Sequence, residues 1–114
     1  VSTFNAHCVP LGLAFDIKNA LSPEFKGDGF VFRYGGGSNR PGTNLLRKDG
    51  KDLLHLEMQY NEAADNFYMK TTSLVNDFNA PVDAVLTGNK IYVLEHAAQG
   101  TSGGRIWKVT LPER

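Results

Sequence analysis

Short apolar runs, separated by Gly, Asn, Asp and Pro, follow one another along the whole chain. Runs of this kind, rich in β-branched and aromatic residues, are typical of β-strands. Gly-containing sequences that favour tight turns lie at residues 26–29, 48–51, 87–90 and 102–105. The pattern predicts eight strands, at residues 11–15, 29–34, 43–47, 53–60, 67–74, 82–86, 90–95 and 105–111.

Helical periodicity is weak, since no long stretch repeats apolar residues every three to four positions. Residues 61–66 are short enough for only a turn or two of helix. Another single turn is predicted to begin at Pro23, because Pro suits the first helical position and Ser22 precedes it as a capping residue. We therefore predict an all-β fold.

Two parts of the chain resemble each other. Pro10-Leu-Gly-Leu-Ala-Phe15 is followed by Gly29-Phe-Val-Phe-Arg-Tyr-Gly35, and Pro81-Val-Asp-Ala-Val-Leu86 is followed by Gly88-Asn-Lys-Ile-Tyr-Val-Leu-Glu-His96. A repeated unit of three or four antiparallel strands is typical of a β-propeller blade. The repeat predicts about two four-stranded blades, approximately residues 7–76 and 77–114.

Two blades are too few for a closed propeller, which has at least four. Alone they would expose apolar faces and an open sheet edge. We expect the remaining blades to come from other chain segments or from another subunit, and we expect a strand from outside these residues to pair with the edge beside 105–111. The chain starts at Val1, so we expect either an upstream segment that was removed or a longer polypeptide.

The amino-acid composition argues against several classes of function. Twelve Lys and Arg balance twelve Asp and Glu, which argues against binding to nucleic acid or to an anionic membrane through a positive field. No apolar run approaches the roughly 20 residues of a transmembrane helix. The single cysteine, Cys8, excludes a disulfide within the chain, and we expect it to be a small buried apolar residue.

Propeller geometry predicts where a ligand would bind. In each blade, the segment before the innermost strand and the loop after the second strand lie on the same face. Residues 5–10 and 77–81 should therefore lie near 34–40 and 95–103. Arginine side chains suit a ligand carboxylate, and the glycines at 35–37 would let backbone amides approach an anion. The polar candidates on or near this face are His7, Arg33, Asn39, Arg40, Asp83 and His96. We expect a bound ligand to contact the loop Tyr34–Arg40 or the segments around His7 and Asn79.

Each candidate also has a structural interpretation. Arg33 lies inside a predicted strand, where a structural ion pair is as good an explanation as a ligand contact. His7 can equally cap backbone groups, and Glu95 and His96 fit a solvated loop pair. His55 is expected at an ordinary exposed position of an alternating strand. The three histidines lack the close spacing of a zinc site.

The sequence His7-Cys-Val-Pro-Leu-Gly-Leu-Ala-Phe15, with Phe25-Lys-Gly-Asp-Gly-Phe-Val-Phe-Arg-Tyr-Gly35 and Asn39-Arg40, resembles the C-terminal part of glucose/sorbosone dehydrogenases. Ala80-Pro-Val-Asp-Ala-Val85, Lys90-Ile-Tyr-Val-Leu94 and Gly104-Arg-Ile-Trp-Lys-Val-Thr110 resemble that family's last blade. The resemblance covers nearly the whole chain and is weakest between residues 53 and 76.

The resemblance implies a periplasmic or secreted six-bladed propeller. It implies pyrroloquinoline quinone (PQQ) and calcium as cofactors, and oxidation of sugar hydroxyls or aldehydes. The family's catalytic histidine belongs to an earlier blade with no counterpart here, so no catalytic residue is assigned to this chain. The cofactor-binding residues implied are His7, Arg33, Tyr34, Asn39, Arg40 and Asn79.

Two departures from the family pattern favour a different function. Tyr34 stands where the family usually has a histidine, and residues 78–81 replace a stretch that often carries an arginine. The alternative is a non-catalytic propeller module that binds a carbohydrate or a protein. A propeller lactonase or hydrolase is a third hypothesis, and it would need metal ligands from the missing blades.

Overall fold

The computed structural model of the chain describes residues 8–35, 50–97 and 103–114. Within these ranges the fold is all-β, as predicted, with one short 3₁₀ turn. The predicted strand at 43–47 lies outside the described residues. In the described part of the chain, no helix is long and apolar enough to cross a membrane. The strands are β1 Pro10–Phe15, β2 Gly29–Arg33, β3 Asp52–Asn61, β4 Asn66–Val75, β5 Pro81–Thr87, β6 Lys90–Glu95 and β7 Arg105–Thr110.

The strands form two antiparallel sheets in which neighbours along the chain are neighbours in space. The first sheet has the order β1-β2-β3-β4, and the second has the order β5-β6-β7. The prediction of about two four-stranded sheets therefore matches the first sheet, while the second has three strands in the described ranges. There β7 is an edge strand. The strand from outside that we expect beside it stays a prediction.

The two segments with weak helical signals, one beginning at Pro23 and one at residues 61–66, have different structures. A 3₁₀ turn spans Pro23–Phe25, as predicted, but the Ser22 hydroxyl contacts the Glu24 side chain and makes no capping bond. Residues 61–66, the other segment with a weak helical signal, form a hairpin turn, because cross-strand pairing of β3 with β4 continues to Asn61 and Asn66. The Asn61 side chain accepts the Ala63 amide at 3.0 Å and so stabilises a tight hairpin turn.

The main core lies between the two sheets. Alternate side chains of β2 and β3 pack against alternate side chains of β6. One face of each sheet is therefore apolar and is covered by the other sheet. The sheets approach each other most closely where β5 lies beside β1 and β2. Gly12 is required there, since a Cβ atom at this position would lie 1.9 Å from the Phe32 ring. The buried core residues are Leu21, Phe30, Phe32, Leu53, Phe78, Ile91, Val93 and Leu111.

The segment from Asp16 to Leu21 and the C-terminal residues cover one end of the core. Asp16 is buried, and its two carboxylate oxygens accept the amides of Ala20 and Leu21 at 3.0 and 3.1 Å. Leu21 forms an isolated antiparallel bridge with Glu113. The C-terminal residues therefore hold Leu21 in the core, where it is 1% exposed.

The other face of each sheet carries exposed apolar side chains. Leu11, Leu13 and Phe15 on β1 are each 41% exposed or more, and Val85 and Ile106 of the second sheet are 55% and 70% exposed.

Candidate functional site

Backbone hydrogen bonds join the predicted ligand-binding segments at one end of the two sheets. The Tyr34 amide donates to the Val9 carbonyl at 2.8 Å, and the Lys51 amide donates to the Arg33 carbonyl at 2.7 Å. The Lys51 carbonyl in turn accepts the Phe78 amide at 3.0 Å, which links the first sheet to the segment before β5. We call this the proximal end, and we call the end where β1 and β5 finish the distal end.

Arg33 is held in an ion pair at the proximal end. Its Nε atom donates to Asp52 Oδ1 at 2.8 Å, and its Nη2 atom donates to the other carboxylate oxygen. The two side chains are 11% and 3% exposed. A third nitrogen, Nη1, lies 3.5 Å from the Cys8 sulfur, and Cys8 is buried as predicted. The structure thus shows the ion-pair interpretation of Arg33 and not an open guanidinium.

Glu95 organises the segment before β5. It is only 3% exposed, and its Oε2 atom accepts the Asn79 amide at 2.5 Å. The interpretation of Glu95 as a solvated residue is therefore wrong, whereas its neighbour His96 is exposed. Sequence reasoning missed this contact because its partner lies 16 residues upstream, beyond any local motif.

The remaining candidates fall into two groups. Tyr34 is 41% exposed and Asn79 is exposed, so the structure brings both to the proximal surface. Asp83 is exposed too, and its carboxylate accepts the neighbouring Ala84 amide at 2.8 Å. Three candidates lie outside the described residues, namely His7, Asn39 and Arg40.

His55 is placed differently from the prediction. It is buried, with Nε2 2.7 Å from Asp28 Oδ2, and its ring stacks on Phe30 at 5.5 Å. Phe25 meets the other side of the ring edge-on at 4.8 Å. The prediction of an exposed position is wrong because β3 lies between β2 and β4 in the first sheet, and the first half of β3 is covered on both faces.

An apolar groove that the sequence did not predict lies at the distal end. It encloses about 450 Å³ between the last residues of β1 and those of β5. Asp16 is among the lining residues, and both its carboxylate oxygens accept backbone amides. The lining is therefore mostly apolar, and its principal side chains are Leu13, Phe15, Ile17, Val85 and Leu86.

The cofactors implied by the resemblance fit the described residues only in part. Tyr34 and Asn79 offer exposed polar groups at the proximal end, but the Arg33 guanidinium is occupied by Asp52. Within the described ranges, no group of three or more His, Cys, Asp or Glu side chains is suited to a metal ion.

No family model, curated protein or solved structure matches the chain. The resemblance to glucose/sorbosone dehydrogenases therefore rests on the residues quoted above.

Proposed function

We propose that the chain forms two adjacent blades of a quinoprotein dehydrogenase-like propeller that oxidises sugars or aldehydes. Its part is to wall the PQQ pocket and to help close the ring, while the catalytic base and the calcium ligands come from blades outside these residues. Such a protein would act in the periplasm or after secretion. Bound quinone would accept the hydride from the substrate.

The observation that carries this proposal is the arrangement of the two sheets. Each begins with an inner strand, β1 or β5, and these two strands lie side by side while later strands follow in chain order. This order and this contact are what successive propeller blades have. The same arrangement brings Tyr34 and the segment around Asn79 to one end, where a ligand of a propeller would meet both blades.

A second candidate function is a non-catalytic propeller module that binds a carbohydrate or a protein. Two observations favour it. Asp52 neutralises the Arg33 guanidinium, which would otherwise suit a quinone carboxylate. Phe78, in the stretch that often carries an arginine in the family, is buried in the core.

The test compares the 114-residue chain with the larger protein or assembly that supplies the missing blades. We expect the chain alone, given PQQ, calcium and an aldose, to leave an electron-accepting dye unreduced, because it lacks the base. The complete protein should reduce the dye. Turnover by the chain alone would contradict this division of roles, and a complete protein that neither binds PQQ nor turns over would support the binding module.

A matched pair of variants of the complete protein tests the pocket assignment. Arg40→Ala should weaken PQQ binding in a fluorescence titration by about tenfold or more, since a charged hydrogen bond to a carboxylate contributes about 1.5–3 kcal/mol. Lys70→Ala removes the same charge from an exposed distal position and should leave binding unchanged. Equal effects of the two substitutions would refute the assignment of Arg40.

A further inference from the structure

One buried carboxylate differs from the others in the part of the chain that the structure describes. Four acidic side chains are buried there, namely Asp16, Asp28, Asp52 and Glu95. Each of the three aspartates uses both carboxylate oxygens, which bind backbone amides, the His55 ring or the Arg33 guanidinium. Glu95 uses only Oε2, which accepts the Asn79 amide.

The second carboxylate oxygen of Glu95, Oε1, is accessible at the proximal end. No group within residues 8–35, 50–97 and 103–114 donates a hydrogen bond to it, and Glu95 forms no ion pair in these ranges. Every fully buried side-chain nitrogen or oxygen of the same residues has a hydrogen-bond partner. Oε1 must therefore reach the surface, although Glu95 as a whole is only 3% exposed.

Among the described residues, no cationic side chain pairs with Glu95. Arg105 lies directly opposite it in the pairing of β6 with β7, but its guanidinium lies 6.0 Å from the centroid of the Trp107 ring. A carboxylate that is shielded from water is unfavourable unless a partner compensates its charge. The Glu95 carboxylate is therefore complementary to a ligand that carries a positive charge and hydrogen-bond donors.

Two exposed polar residues lie at the same end. Asn79 is adjacent to the carboxylate, because its own amide donates to Glu95. Tyr34 is joined to this segment through Lys51, whose amide binds the Arg33 carbonyl and whose carbonyl accepts the Phe78 amide. A side-chain amide can bind hydroxyl groups, and an exposed aromatic ring can pack against an apolar ligand face. A sugar ring offers both kinds of group.

We propose that Glu95 binds an ammonium group and that the ligand of the proximal end is an amino sugar. The ammonium donates a hydrogen bond to Oε1, while Asn79 and Tyr34 contact the sugar ring. The choice of a sugar rests on the proposed function, in which the protein oxidises or binds one. The choice of an ammonium group rests on the accessible oxygen and the uncompensated charge of Glu95.

Three sugars provide matched probes. Glucosamine, glucose and N-acetylglucosamine carry an ammonium, a hydroxyl and a neutral amide at the same ring carbon. Nuclear magnetic resonance of the ¹⁵N-labelled 114-residue chain, in slightly acidic buffer, can follow the Asn79 amide, which donates to the same carboxylate. Glucosamine should shift this resonance with a dissociation constant at least about tenfold lower than those of the two neutral sugars, because hydrogen bonds between charged groups are stronger.

Two glutamates provide a matched pair of variants. Glu95→Gln keeps the size of the side chain and an oxygen that can accept the Asn79 amide, but it removes the charge. It should abolish the preference for glucosamine. Glu57→Gln removes the same charge from an exposed position on β3 and should keep the preference. Far-UV circular dichroism verifies that both variants fold.

A sugar-free cation tests the ammonium contact in the wild-type chain alone. Methylammonium chloride should shift the Asn79 amide more than sodium chloride of equal concentration, and it should bind more weakly than glucosamine. Equal responses to the three sugars, or a preference that persists in Glu95→Gln, would overturn the proposal. Methylammonium that binds as tightly as glucosamine would overturn the choice of a sugar.

The proposed function can fail separately. A complete protein that binds glucosamine through Glu95 but neither binds PQQ nor reduces the dye would support this inference and refute the dehydrogenase. A complete protein that reduces the dye with glucose and shows no preference for glucosamine would support the dehydrogenase and refute this inference.

Discussion

Asp28 and His55, 27 residues apart, form a buried side-chain pair with 2.7 Å between Oδ2 and Nε2. The pair joins the turn before β2 to the middle of β3. The imidazole ring of His55 contacts the rings of Phe25 and Phe30, so the pair is packed within an aromatic cluster. Because Asp28 also accepts the Met58 amide, one carboxylate satisfies two donors that the strands leave unpaired.

Removing this carboxylate should destabilise the fold. Asp28→Ala leaves the buried His55 nitrogen and the Met58 amide without their acceptor, and an unsatisfied buried donor costs about 1–3 kcal/mol. We expect the free energy of unfolding to fall by about 3 kcal/mol in urea titrations. Glu57→Ala breaks only an exposed ion pair and should cost less than about 1 kcal/mol. Similar losses in the two variants would show that the Asp28 bonds are not structural.

The ion pair of Arg33 with Asp52 gives a second prediction. Asp52→Leu strands a guanidinium that is 11% exposed, and breaking one side of a buried pair costs about 3–5 kcal/mol. Replacing both partners, as in Arg33→Met with Asp52→Leu, should recover most of that loss, because well-packed apolar residues can substitute for a buried ion pair. The measurement is a double-mutant cycle of unfolding free energies.

Additive losses in that cycle would mean that the two side chains act independently. The outcome also bears on function. If the double variant is stable and the complete protein still binds its ligand normally, the role of Arg33 is confined to the fold. A stable double variant that has lost ligand binding would instead place Arg33 in the binding site.

The strands were predictable because their signals are local. Apolar runs and Gly-containing turns place all the strands that the structure describes to within about two residues, and the all-β fold follows from them. The burial of His55 and Glu95 was not predictable. Alternation along a strand predicts which residues share a face, but only the position of the strand in its sheet decides whether both faces are covered.

The site was less predictable than the fold for a related reason. Arg33 and Asp52 are 19 residues apart, and no motif signals that they will meet. The repeat did predict that the segments before β1 and β5 would lie at one end with the segments after β2 and β6. The Tyr34 amide there donates to the Val9 carbonyl, and the His96 amide donates to the Ala80 carbonyl.

The hairpin tip provides a prediction about pH. The Tyr60 hydroxyl donates to Asp65 Oδ1 at 2.5 Å, and this hydrogen bond raises the pKa of Tyr60 above its ordinary value of 10.0. The bond needs the protonated phenol, so its contribution to the hairpin is fully present below the pKa of an unfolded tyrosine. That contribution is lost as the pH rises through the higher pKa of the folded state.

Nuclear magnetic resonance of chain labelled with ¹³C-tyrosine can follow the four tyrosines one by one between pH 8 and 12, with Tyr60→Phe assigning the signal. Asp65→Asn removes the negative charge and should lower the pKa of Tyr60 toward its ordinary value. Glu62→Gln removes the same charge from the same turn without touching the phenol, so it should change the pKa of Tyr60 much less. If both substitutions shift the titration equally, the general negative charge of the tip, and not the hydrogen bond to Asp65, controls Tyr60.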